Sequence, residues 1–92
     1  LHDGITNIGE SAFSGTPLRG ELTLPKNLVT LGKYAFSNCR FSGNLIIPEG
    51  LIIINDGVFS GNSRLMGTIE FPENLLSIGA NAFLDVVILK DL

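Results

Sequence analysis

Apolar positions along this chain recur in blocks 23 or 24 residues long. The clearest marker is a pair: Ala12-Phe13, Ala35-Phe36, Val58-Phe59 and Ala82-Phe83, spaced by 23, 23 and 24 residues. Around the pair the pattern is constant. One unit reads Leu22-Thr23-Leu24-Pro25, Leu28, Leu31-Gly32, Ala35-Phe36, Phe41 and Gly43. The next reads Leu45-Ile46-Ile47-Pro48, Leu51, Ile54-Asn55, Val58-Phe59, Leu65 and Gly67. A third begins Ile69-Glu70-Phe71-Pro72, and the first matches in Leu1, Ile5, Ile8-Gly9, Ala12-Phe13, Leu18 and Gly20. A period in this range marks stacked repeats, none of which buries its apolar face alone. The one additional residue of the 24-residue unit falls between Phe59 and Leu65, in a polar loop where insertion costs little.

The pattern predicts the elements of each unit. Glu21 to Leu24 alternate out and in, which is the period of a half-buried strand. Pro25, Pro48 and Pro72 stop these strands, because proline gives no amide hydrogen to a ladder. Gly20, Gly43 and Gly67 precede them, either for a positive φ or for room beside a neighbouring coil. Leu28 to Gly32 and Leu51 to Ile54, the latter with three β-branched isoleucines, predict a second short strand. The Ala-Phe segment fits one helical or 3₁₀ turn, too short to stand as a helix. Leu22, Leu24, Leu28, Leu31, Ala35, Phe36, Phe41 and their counterparts form the expected core. Stacking at one strand spacing, about 4.8 Å, places Phe13, Phe36, Phe59 and Phe83 in an aromatic column.

The sequence is expected to form one repeat segment over 1–92, with units at 1–21 (partial), 22–44, 45–68 and 69–92. It starts on Leu1 and stops within a unit, as a piece of a longer array would. With 45% hydrophobic and 16% charged residues it is too apolar for disorder. A net charge of −3 offers no basic stripe for a phosphate backbone, which argues against nucleic acid. Its apolar runs, such as Leu51–Ile54 and Val86–Leu89, fall well short of the ~20 residues that span a membrane.

Candidate chemistry is sparse. His2 is the only histidine and has no nucleophile to partner. Cys39 is the only cysteine, so it forms no intrachain disulfide; its slot reads as a buried corner rather than a reactive thiol. No Cys or His pair has metal-ligand spacing, and no phosphate-binding glycine motif is present. The nine acids are spread through surface slots, which suits solvation rather than a glycosidase pair. No catalytic residue, cofactor or metal is therefore expected.

The pattern carried by Leu22 to Cys39, and again by Leu45 to Phe59 and Ile69 to Phe83, resembles the BspA-like leucine-rich repeats of bacterial surface proteins. The resemblance implies a leucine-rich repeat solenoid of the α/β horseshoe type, β-rich, with a parallel sheet on its concave face. Short strands on the convex side and 3₁₀ or single-turn helices complete that expectation. It also implies an extracellular or cell-surface location and adhesion to host-matrix or bacterial surface proteins. The family's cysteine slot is filled here by Thr16, Cys39, Asn62 and Val86, and Pro17 is an additional proline in the first return loop.

The outward strand positions are then the expected protein-binding residues. They form two columns, Glu21, Asn44, Thr68 and Thr23, Ile46, Glu70. Ile46 stands out as an apolar side chain pointing outward. A non-catalytic interaction module is the leading reading, and a spacer with no ligand of its own is the alternative. End-to-end or swapped self-association, or cover by the irregular termini, is also expected of an uncapped stack, with Leu1, Ile5 and Ile8 near one end and Phe83, Ile88, Leu89 and Leu92 near the other.

Overall fold

The computed structural model describes residues 3–65 and 67–86. The expectations placed on Leu1, His2 and Val87–Leu92 lie outside the described residues. Among the described residues, eight two-residue strands run in order: β1 Asn7–Ile8, β2 Arg19–Gly20, β3 Thr30–Leu31, β4 Arg40–Phe41, β5 Leu45–Ile46, β6 Ile53–Ile54, β7 Ile69–Glu70 and β8 Ser77–Ile78. These strands pair in parallel, β1 with β3, β2 with β4, β5 with β7 and β6 with β8. Each partner comes from the next unit, so the fold is a β-rich repeat with short parallel strand pairs.

The corners follow from proline. The carbonyls of Pro25, Pro48 and Pro72 accept from the N–H of Leu28, Leu51 and Leu75 at 3.1, 3.1 and 3.2 Å. Each proline thus ends a strand segment and opens a tight turn that aims the next leucine at the core. Both reasons for the glycines are realised, at different positions. Gly20 and Gly43 have φ of 85° and 79°. Gly67 is instead a close approach: a Cβ there would lie 2.9 Å from the carbonyl carbon of Gly43.

The Ala-Phe segment is neither a helix nor a 3₁₀ turn. Residues Ser11, Tyr34, Gly57 and Asn81 before each pair, and Gly15, Asn38, Gly61 and Asp85 two residues after it, all take positive φ between 55° and 79°. These left-handed residues turn every second peptide away from its own unit. The freed amides point to the next unit: Tyr34, Phe36 and Asn38 N–H donate to Asp56, Val58 and Ser60 C=O at 3.0, 3.0 and 2.7 Å. Alternate amides close local turns instead, as Ala35 N–H does on Gly32 C=O at 3.2 Å. The same interleaving joins unit one to two and unit three to four. A helix would have consumed these donors within the unit; spending half of them on the neighbour holds the stack together.

The core lies between these turns and the strands. All seven expected slots of the second unit are buried, as are their seven counterparts Leu45 to Leu65 in the third. In the outer units, Ala12 and Ile78 are exposed, because only one neighbouring unit covers them, and Leu18 is exposed as well. The column is present: Phe13–Phe36, Phe36–Phe59 and Phe59–Phe83 stack with centroids 5.2, 6.0 and 5.5 Å apart and ring planes within 20°. Phe41 and Phe71 meet it edge-on, against Phe36 and Phe83.

Beside the column the corner slot does consistent work. Thr16 Oγ1 donates to Phe13 C=O at 2.8 Å and Cys39 Sγ donates to the same oxygen at 3.1 Å. Asn62, fully buried, donates to Phe36 C=O and Phe59 C=O and accepts from Phe41 N–H. Cys39 is accordingly a buried corner residue that links two units.

Two stability outcomes follow. Phe36→Ala and Phe59→Ala should each lose about 3–5 kcal/mol in urea unfolding, and Phe13→Ala less, since its ring is partly exposed. Asn62→Leu should lose roughly 2–3 kcal/mol, because it orphans buried backbone groups. Asn62→Cys, matching Cys39, should lose less in the same measurement.

Candidate functional site

The six predicted contact residues all lie outward. Glu21, Thr23, Asn44, Thr68 and Glu70 are exposed, and Ile46 is 60% exposed. Alternation puts them there, since their neighbours Leu22, Leu24, Leu45 and Ile47 are buried on the opposite face. Between the third and fourth units the expected columns form. Ile46 pairs in register with Glu70, and Asn44 Oδ1 accepts from Thr68 N–H at 2.8 Å and from its hydroxyl at 3.4 Å.

Between the second and third units the columns do not form. Glu21–Leu24 was expected as a strand laid against Leu45–Ile47, yet it belongs to no strand pair. The cause is a register offset in the return segments. There Gly20 pairs with Phe41, 21 residues away, whereas Asn7 pairs with Thr30, 23 away. From Gly20 the chain reaches Leu22 in two residues; from Phe41 it takes four to reach Leu45. The additional length carries the third strand away from the second. Leu18 correspondingly does not share the slot of Phe41: it is 41% exposed and Phe41 is 4% exposed.

The separation leaves a cleft of about 450 Å³ on the strand face. Five of the six predicted residues line it: Glu21, Thr23, Asn44, Ile46 and Glu70. Its apolar lining comes from Leu22, Leu24, Ile47 and Pro48, and its remaining charges from Lys26 and Glu49. Lys26 Nζ also lies 3.9 Å from Asp3 Oδ2, both side chains being well exposed. Glu21 turns its carboxylate toward Gly43, where an added Cβ would sit 3.1 Å from Oε2. Alternation alone found the outward residues. The cleft, and the participation of Lys26 and Glu49, depend on the register offset, which the side-chain pattern did not reveal.

Chemically the cleft offers three carboxylates, one ammonium, one hydroxyl, one amide and an apolar lining. Among the described residues no group of three or more His, Cys, Asp or Glu could hold a metal ion. Among them, too, no helix is long and apolar enough to cross a membrane. Across the seam the units remain joined by Asn55 Nδ2, which donates to Leu31 C=O at 2.7 Å, and by the turn ladder and phenylalanine column described above.

The family model for the BspA type leucine-rich repeat region, described as six copies, matches residues 1–92. The chain belongs to this family. No curated protein and no solved structure matches it.

Proposed function

We propose that this chain is a non-catalytic protein-interaction module of a bacterial surface protein, displayed outside the cell and acting in adhesion. On this reading the units form a curved solenoid with Glu21, Thr23, Asn44, Ile46, Thr68 and Glu70 on the concave face. The family supports the surface location, and BspA-like repeats imply partners among host-matrix or bacterial surface proteins. The observation that carries the interaction role is the cleft: five of the six outward residues converge on one recess instead of lying on a flat sheet. A recess of this size, with an apolar lining and a few polar groups, is the usual form of a binding site. A spacer would need no such break in its sheet.

The test is a Thr23→Ala, Ile46→Ala, Glu70→Ala triple variant in solid-phase binding to extracellular-matrix and bacterial surface proteins. The module reading expects at least tenfold weaker binding with unchanged thermal unfolding. Equal binding by the variant and the parent contradicts it.

The self-association reading is changed in its residues. Ile8 and Phe83 are 6% and 8% exposed, so they are not free for an end contact. Leu76, Ile78 and Leu84, at 72%, 45% and 53% exposed, are the apolar surface of the fourth unit. Sedimentation equilibrium at micromolar concentration should show a dimer that Leu76→Lys returns to a monomer. A monomeric parent contradicts association.

A further inference from the structure

We propose that the cleft between the second and third units accepts one extended polypeptide segment as an inserted strand, with cationic side chains alternating with apolar ones. This rests on the interaction-module reading above and adds its mode and the chemistry of its partner.

The backbone carries the argument. Leu45 and Ile47 N–H donate to Thr68 and Glu70 C=O at 2.9 and 2.8 Å. Successive residues of a parallel strand aim their peptide groups to opposite sides. The N–H and C=O of Ile46 therefore point the other way, into the cleft. On the opposite wall, Leu22, Thr23 and Leu24 take part in none of the backbone hydrogen bonds of the described residues. A single free edge is already a template for strand addition. Here two free edges face each other across one recess, so an inserted strand would find both of its ladders.

The side chains select the occupant. Glu21, Glu49 and Glu70 line the cleft against one ammonium, Lys26, which also faces Asp3. The excess is negative, and it favours Lys or Arg on the face of the strand turned toward the carboxylates. The alternate side chains of the same strand point inward. There they meet Leu22, Leu24, Ile47 and Pro48. Aliphatic or aromatic residues fit that side. Affinity would come from the main chain and selectivity from this two-faced alternation.

The test is an NMR titration of ¹⁵N-labelled protein with acetyl-Lys-Val-Lys-Val-Lys-Val-amide. Two control peptides replace lysine by glutamate or carry N-methyl groups on alternate amides. In the free protein, the amides of Leu22, Thr23, Leu24 and Ile46 should exchange with solvent at least tenfold faster than those of Leu45 and Ile47. The lysine peptide should shift the Thr23 and Ile46 signals and slow their exchange at least tenfold. The N-methylated and glutamate peptides should do neither. Ile46→Pro, which removes the amide facing the cleft together with the Ile46 side chain, should bind at least tenfold more weakly than Ile46→Ala, which removes the side chain alone, while leaving the ring-shifted Phe59 contacts in place. If that variant loses those contacts, Thr23→Pro and the N-methylated peptide decide instead. Equal protection of the free amides, no binding of the lysine peptide, or equal binding of the N-methylated form overturns the insertion. Partner binding that falls in the triple variant but survives Ile46→Pro overturns the insertion alone. Partner binding unchanged in both overturns the module reading itself.

Discussion

The stack depends on the column of Phe13, Phe36, Phe59 and Phe83 and the ladder of amides beside it. Ring centroids 5.2 to 6.0 Å apart fix how closely successive units approach. The left-handed residues flanking each pair then supply donors at that spacing, and every second amide crosses to the next unit. Neither part is sufficient alone. Stacked rings attract but leave rotation about the stack loose. Hydrogen bonds between buried turns impose direction, and losing them would strand polar groups in the core. Together they explain why strands of only two residues suffice elsewhere.

With the turn side fixed, the strand side is free to vary. Units one and two meet in their return segments at a separation of 21 residues, and units three and four meet along β5 and β7 at 24. The chain from Phe41 to Leu45 is two residues longer than that from Gly20 to Leu22. The sheet opens between units two and three, while Phe36 stays on Phe59 and Asn55 and Asn62 reach across with their side-chain amides. The recess is thus a consequence of a stack held from one side. It leaves polar backbone beside leucines that remain buried, which is a combination suited to recognition rather than to stability.

Much of this was legible in the sequence. The Ala-Phe period located the column, and the Leu-x-Leu alternation sorted Leu22 and Leu24 inward from Glu21 and Thr23. Proline marked the corners. What escaped was conformational. Ser11, Tyr34, Asn38, Asn81 and Asp85 adopt left-handed backbone although most of them lack the freedom of glycine. Only Gly15, Gly57 and Gly61, in two of the four units, hinted that the segment was not helical. The register offset was hidden for a different reason. Aligning Leu18 with Phe41 is the natural reading of two apolar residues before a glycine, but the backbone pairs Gly20 with Phe41 instead. The site was accordingly half visible: its outward residues followed from alternation, and its depth did not.

The central claim is that the turn ladder and ring column hold units two and three together across the open seam. Native-state hydrogen exchange at the Phe36 amide tests it most directly, with the Phe13 and Phe59 amides as references for the neighbouring junctions. The account predicts that Phe36 is protected at least as well as either reference and exchanges only through global unfolding. A Phe36 amide exchanging roughly a hundredfold faster than Phe13 and Phe59, through a separate local opening, would contradict it.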